Sequence, residues 1–311
     1  MKKIINLLLK SGTIVALFAS ILPNIFPNNW FIDIFSNFKF QIVIFLLLLF
    51  VLNIFLQKSR AIGIILLILI FWNASFISSL YYPSKFGEIN KLKGVSMASV
   101  NLLSSNNEFG NVIDFIEKND PDILILLEYN PKWESELSSI TNQYSFIKKE
   151  VRNDNFGIGF FSKIDSKTSI LRFDHNKIPS IRADLEINKK PITIIATHPF
   201  PPVGQKRFES RNFHLKTLAK RRNEFSENLI IIGDLNTSSF SQHFKNLIQE
   251  TKLRDSRNGF GILATWPSNF KLLQTTLDHF LVSKNINVMR RNIGNNIGSD
   301  HLPIFIEFRI N

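Results

Sequence analysis

The chain has 311 residues, no cysteine, a formal net charge of +12 and 45% hydrophobic residues. The absence of Cys excludes a disulfide framework and any zinc–thiolate centre, and the length permits one large domain or two small ones. The composition is uneven: up to residue 82 the chain is overwhelmingly apolar, and beyond it takes on the mixed character of an ordinary α/β domain.

Residues 4–22, 40–56 and 61–80 form three apolar runs, the first interrupted by Lys10, Ser11 and a few small residues. Each approaches the ~20 residues a helix needs to cross ~30 Å of hydrocarbon. None keeps the polar face of a core helix. The sequence therefore predicts a membrane anchor over residues 1–82 with three transmembrane helices. Phe18-Ala19-Ser20 is faintly like a signal-peptide cleavage site, but Lys10 argues against that reading. Lys2 and Lys3 precede the first run, and Lys58 and Arg60 separate the second from the third. The intervening loop, 23–39, has only Asp33 and Lys39 as charged residues. The bias of Lys and Arg toward cytoplasmic loops puts the N-terminus and the second loop inside, so three crossings leave everything after Tyr82 outside the cytoplasm.

Residues 83–94 are predicted as a linker and 95–311 as the globular domain. Residues 95–103 predict a strand ending near Asn101. A helix follows, with Phe109, Val112, Ile113 and Ile116 at helical spacing and Ser105 and Glu108 as a capping box. Asn119-Asp120-Pro121 stops it, and the apolar run 123–127 delivers Glu128. The glycines of the predicted strand 156–161 suggest close backbone approach. Strands at 180–187 and 191–197 follow, the second leading into His198. A basic helix over 205–225 carries Lys216, Lys220, Arg221 and Arg222. It is read first as a solvated or membrane-facing surface and second as a positive approach path for a phosphate-bearing substrate. Strand 229–232 delivers Asp234 and Asn236, a helix covers 242–249, and strands at 277–282 and 302–308 complete the chain. Strands alternating with helices, together with adjacent strand pairs, predict mixed sheets covered by helices.

The polar residues at the ends of these runs carry the chemistry. Leu127-Glu128, Gly233-Asp234-Leu235-Asn236 and Leu277-Asp278-His279 each end an apolar run in a carboxylate, and Ser299-Asp300-His301 sets Asp beside His just before the last strand. Taken singly, Glu128 reads as a surface acid, His198 as a structural histidine, and Asp234 and Asn236 as turn residues or caps. Together they suggest strand ends converging on a hard, oxygen-preferring cation such as Mg²⁺, with a histidine placed to stabilise or protonate a phosphoryl group. No Ser or Cys nucleophile motif is visible, so direct attack by water is favoured over a covalent intermediate.

In order and context these residues resemble the endonuclease/exonuclease/phosphatase family, which includes deoxyribonuclease I-like nucleases, abasic-site endonucleases, bacterial sphingomyelinases and inositol-phosphate phosphatases. The resemblance covers residues 96–309 and rests on Ser99-Val100-Asn101, Leu127-Glu128, Thr197-His198, Gly233-Asp234-Leu235-Asn236, Asp278-His279 and Ser299-Asp300-His301. Three spans followed by this domain, with His198-Pro199-Phe200-Pro201-Pro202 after a central strand, look like a bacterial membrane-anchored branch. That implies a bacterial-type cytoplasmic (inner) membrane with the domain extracytoplasmic.

The resemblance further implies an α/β fold, a four-layered sandwich of two packed mixed sheets flanked by helices, with the site at one edge. Glu128 would bind Mg²⁺, or Mn²⁺ in its place, with Asn101 and Asp300 helping to hold the ion or its waters. Asp234 would orient or deprotonate the attacking water, and Asn236 would position that water and the phosphate. Asp278 would fix the tautomer of His301 and favour its imidazolium, which stabilises the transition state. His198 would contact the phosphate or help protonate the leaving oxygen. Thr276 stands two residues before Asp278, where abasic-site enzymes carry Arg, and no aromatic-rich nucleic-acid platform is evident. Both features weigh against a repair nuclease.

The expected function is a membrane-anchored, divalent-metal-dependent phosphoesterase. Its substrate would be a phosphodiester in nucleic acid or in a phospholipid or sugar-phosphate head group. The rival reading, a non-catalytic membrane-tethered binding module, predicts loss of site residues, and none of the main positions is missing. No obligate protein partner is implied.

Overall fold

The computed structural model describes residues 2–82, 94–175 and 177–311, so the expected linker, 83–94, lies outside the described residues except for Gly94. The N-terminal part consists of α1 (Lys2–Ile25), α2 (Trp30–Asp33), α3 (Lys39–Leu52) and α4 (Arg60–Ser78). Its three long stretches, Lys3–Ile25, Trp30–Gln57 and Arg60–Ser78, are apolar and long enough to cross a membrane. Leu9, Ala16, Leu46, Leu49, Leu66 and Leu69 pack among the helices, while Ile14, Leu48, Ile68 and Phe71 stand exposed on the outside. The turn after α1 is set by Asn29, whose side chain accepts from the amides of Phe31 and Ile32 at 3.1 and 3.2 Å and so caps α2.

The elements that follow are, in chain order, β1 (Val95–Asn101), α5 (Phe109–Asn119), β2 (Ile123–Leu127), α6 (Pro131–Glu136), α7 (Ser138–Thr141), β3 (Phe146–Glu150) and β4 (Ile158–Ser162). Then come β5 (Ser166–Arg172), β6 (Pro179–Ile187), β7 (Lys190–Thr197), α8 (Gln205–Lys220), β8 (Asn228–Asp234) and α9 (Gln242–Thr251). The chain ends with β9 (Leu253–Asp255), β10 (Asp278–Ser283), β11 (Ile286–Ile293) and β12 (Ile304–Ile310). The strands form two six-stranded mixed sheets, ordered β11-β12-β1-β2-β4-β3 and β5-β6-β7-β8-β10-β9.

The central strands read as unbroken apolar runs because both of their faces are covered. In β2, Ile123, Ile125 and Leu127 fill the space between the sheets, while Leu124 and Leu126 pack outward with Val112 and Ile116 of α5. In β8, Ile230 and Ile232 face inward, and Leu229 and Ile231 pack with Leu215 and Leu218 of α8 and Phe244 and Leu247 of α9. Helix, sheet, sheet and helix are the four layers that the family resemblance implies.

Four strands were not legible in the sequence, and one of them, β9, has only three residues, Leu253-Arg254-Asp255. In β3 and β5 half-buried positions alternate with exposed ones, and β11 is partly exposed at the other edge, so none carries the apolar run that marks a central strand. The capping box does not form: Glu108 occupies the N-cap without a side-chain capping bond, and the side chain of Asn106 accepts from its amide at 2.9 Å instead. The basic helix stops at Lys220, short of residue 225, because the Arg222 guanidinium turns back to the carbonyls of Phe225, Ser226 and Glu227.

Pairing register decides where the polar ends go. β1 runs parallel to β2, with Asn101 beside Leu127, and β7 runs parallel to β8. β10 is antiparallel to β8 and begins where β8 ends, so Asp278 lies directly opposite Asp234. β12 is antiparallel to β1, with Ile304 opposite Ser99, which brings residues 299–301 to the same edge.

Candidate active site

Gly233 explains how β8 can end as it does. Its φ is +138°, and a Cβ there would lie 2.1 Å from the Thr197 carbonyl oxygen, so only glycine permits β8 to close against the end of β7. Asp234 then sits at the centre of the edge. Its Oδ1 accepts from the Asn236 amide at 2.8 Å. Its Oδ2 faces three groups from three other strand ends: Asn101 Nδ2 at 3.4 Å, His198 Nε2 at 3.4 Å and His301 Nε2 at 3.5 Å. On its other side, His301 Nδ1 lies 2.8 Å from Asp278 Oδ2.

Two carboxylates directly opposed across a ladder repel each other, and the imidazole between Asp234 and Asp278 resolves that repulsion. Burial by itself would lower the His301 pKa, but the facing carboxylates of Asp278 and Asp234 lift it to about 10. His198 follows the same rule: burial opposes its charge, and Asp234 raises its pKa above the ordinary histidine value. Burial in turn would raise Asp234, but His301 and His198 hold it below the usual carboxylate range. The edge is thus an ordered ion cluster of alternating sign. If hydrolysis requires the His301 imidazolium, the rate should hold to about pH 9 before falling, since the group loses its proton only near its folded pKa of about 10. Asp278→Asn should move that alkaline limb down toward the ordinary value of ~6.5, as a rate–pH profile would reveal.

The remaining site residues flank this cluster. Glu128 takes a left-handed backbone (φ +57°) immediately after β2, and its Oε2 is held by the Ser104 amide at 2.9 Å and hydroxyl at 3.0 Å. Asp300 Oδ2 accepts from Trp266 Nε1 at 3.0 Å, while its Oδ1 is buried with no partner. A buried carboxylate oxygen left unpaired is costly and calls for a partner. Together with Glu128 and Asn101 it offers an all-oxygen donor set, the chemistry a hard divalent cation prefers. Among the described residues the compact group of His, Asp and Glu ligand atoms is Asp234, Asp278 and His301, all within 4.8 Å of one another, a spacing that could hold a metal only with the His301 ring neutral. Glu128 and Asp300 lie outside that group; Glu128 acts electrostatically on His198, and Asp300 on His301.

Asn236 also has a left-handed backbone (φ +51°), and its side chain donates to the Pro199 carbonyl at 3.0 Å. His279, next to Asp278, turns away from the site. Its Nε2 meets the Thr237 carbonyl at 2.7 Å and its Nδ1 meets Arg257 at 3.0 Å. Burial first and Arg257 second drop its pKa to about 3, so it is a neutral structural histidine.

Three supporting residues escaped the sequence reading: Ser104, Trp266 and Arg211. Arg211 is fully buried and donates to the Asn236 carbonyl at 2.9 Å. Its signal was present in the spacing: Phe208, Arg211, Leu215 and Leu218 lie on the buried stripe of α8.

Two packed mixed sheets with an acid–imidazole cluster at one edge define a class of α/β sandwich. A family model described as "Endonuclease/Exonuclease/phosphatase family" matches residues 98–301, a span that contains all the site residues named above. The chain belongs to this family, whose members are metal-dependent phosphodiesterases and nucleases. The fold is shared with TDP2 of D. rerio complexed with a single-strand DNA product, at 16% identity and a TM-score of 0.58, covering 70% of this chain and 99% of that one. It is shared with the human Nocturnin catalytic domain with bound sulfate, at 18% identity and a TM-score of 0.57, covering 71% and 96%. A family protein of Bacteroides vulgatus matches at 16% identity and a TM-score of 0.56, covering 71% and 100%. No curated protein matches the chain.

Proposed function

We propose that the chain is a membrane-anchored, Mg²⁺- or Mn²⁺-dependent phosphoesterase that hydrolyses a phosphodiester by direct attack of water. The observation that carries this reading is the line Asp278–His301–Asp234, in which a charged imidazole is held between two carboxylates with its Nδ1 on Asp278 and its Nε2 toward Asp234. Asp234 accepts the proton of the attacking water, which Asn236 helps to position. The His301 imidazolium stabilises the charge growing on the phosphoryl oxygens. The new P–O bond forms as the ester P–O bond breaks, and the leaving oxygen takes its proton from His198, so water is the only co-reactant. Glu128, Asp300 and Asn101 would hold the cation, which when bound offsets phosphoryl charge and polarises the ester.

The proposal is tested with full-length protein in detergent and Mg²⁺, offered a chromogenic phosphodiester and the matching monoester. Turnover of the diester that Asp234→Asn abolishes supports the reading. Turnover of neither ester with Mg²⁺ or Mn²⁺ overturns it.

The extracytoplasmic orientation rests on the loop charges. The geometry adds that the stretch between α1 and α3 packs on the β-sandwich, as in the Arg211–Asp33 pair at 3.2 Å, which requires the two to share one side of a membrane. A reporter fused after Asn311 should therefore be active outside the cytoplasm, and one fused near Lys58 inside it. A cytoplasmic C-terminal reporter would refute this topology.

A further inference from the structure

We propose that the active-site edge faces the bilayer and that the substrate is a phosphate ester in a membrane-lipid head group; this rests on the phosphoesterase reading above. Each of three loops that carry or border site residues is bonded to the stretch between α1 and α3. Gln205, seven residues past His198, bonds the Asn28 carbonyl and the Trp30 amide at 3.3 Å each. In the loop after Asn236, the Ser238 amide donates to the Asn37 side chain at 3.3 Å and the Ser241 hydroxyl to Asp33 at 3.1 Å. In the loop that carries Trp266, the Thr275 hydroxyl donates to the Asn37 carbonyl at 2.7 Å, and Gln41 in the first turn of α3 donates to the Gln274 carbonyl at 2.8 Å. Arg211 ties the same stretch to the site directly, with one guanidinium nitrogen on Asp33 and another on the Asn236 carbonyl. The rim of the site therefore lies level with the head of the second candidate span.

The second observation is what the rim displays. Among the described residues of the β-sandwich part, the four most exposed large apolar side chains are Leu272 (74%), Val203 (70%), Phe270 (50%) and Leu273 (45%). All four sit on two of these rim loops. Exposed basic residues accompany them, Lys206 and Arg207 in the first turn of α8 just after Val203 and Lys271 on the other loop, and residues 199–208 and 266–277 contain no acid. Apolar tips mixed with Lys and Arg suit an interface with anionic head groups, and a clustered exposed apolar rim marks an interaction surface. Continuity with the candidate spans identifies the occupant as the bilayer of the same membrane. A site held at that level meets lipid phosphates at high local concentration, while a nucleic-acid chain would have to pass between rim and membrane.

The chain has no native Cys, so single cysteines report position without background. Full-length Leu272→Cys, Val203→Cys and Ile147→Cys, each carrying a fluorophore, are placed in phosphatidylethanolamine/phosphatidylglycerol vesicles containing nitroxide-labelled lipid. Quenching at 272 and 203 but not at 147, on the far edge strand β3, is expected. Equal quenching at all three positions overturns the orientation.

Turnover is then compared between the vesicle phospholipid, a soluble chromogenic diester and single-stranded DNA. The triple variant Phe270→Ser/Leu272→Ser/Leu273→Ser should lose about 10-fold or more of its lipid turnover, the factor that one lost Leu or Phe burial already represents. Its soluble-diester turnover should stay within about twofold, the scatter expected of a surface change away from the chemistry. Soluble-diester turnover without lipid turnover, or DNA cleaved faster than lipid, overturns this inference alone. No turnover of any substrate overturns the phosphoesterase reading and this inference with it.

Discussion

Asp234→Asn should lower phosphate-ester hydrolysis by ~10²–10⁴-fold while the protein remains folded, and His301→Ala should do the same. Asp234 faces Asn101, His198 and His301 at once, so an amide there removes both the proton acceptor and the counter-charge to two imidazoles. The fold should survive because both histidines can respond by becoming neutral. Asp278→Asn should be nearly as damaging as His301→Ala, since the 2.8 Å contact between the two is what sustains the imidazolium. The double variant Asp278→Asn/His301→Ala should be little slower than His301→Ala alone, because a coupled pair is non-additive. Steady-state kinetics on the four proteins measure this, with circular dichroism as the folding control. Effects that simply multiply would mean the two residues are not partners.

Arg211→Met should destabilise the protein by ~3–5 kcal/mol, the range seen when one member of a buried ion pair is removed. Arg211 and Asp33 are 1% and 4% exposed. The substitution strands the Asp33 carboxylate in a buried site and leaves the Asn236 carbonyl without its donor. The double variant Asp33→Asn/Arg211→Met should recover part of the loss, because no unpaired charge is then buried. Thermal melts of the full-length protein in detergent read both changes. An unchanged melting temperature for Arg211→Met would mean that the stretch between α1 and α3 does not dock on the sandwich.

These two sets of residues also mark the line between what the sequence disclosed and what it did not. Strand ends were legible because β2, β7 and β8 are apolar on both faces, so the first polar residue after each run had to lie at the sheet edge. That placed Glu128, His198 and Asp234 in the order in which the fold uses them. The burial of the cluster was not legible: polar residues at strand ends read as exposed, yet Asp234 and His301 are 1% and 6% exposed. Ser104 and Trp266 hold Glu128 and Asp300 from irregular segments, where no hydrophobic period announces position. Arg211 is hidden by the basic composition of α8, which reads as a surface helix, and its partner Asp33 sits in the segment between two apolar runs. Nothing local indicates that this segment meets a residue 178 positions away.

The most direct measurement is the metal dependence of turnover. Full-length protein stripped by a chelator should lose activity against a phosphodiester and regain it on addition of Mg²⁺ or Mn²⁺, while Zn²⁺ should restore it poorly, since the proposed ligands Glu128, Asp300 and Asn101 present oxygen only. Glu128→Gln should raise the Mg²⁺ concentration needed for half-maximal recovery. Full activity in excess chelator would contradict the account.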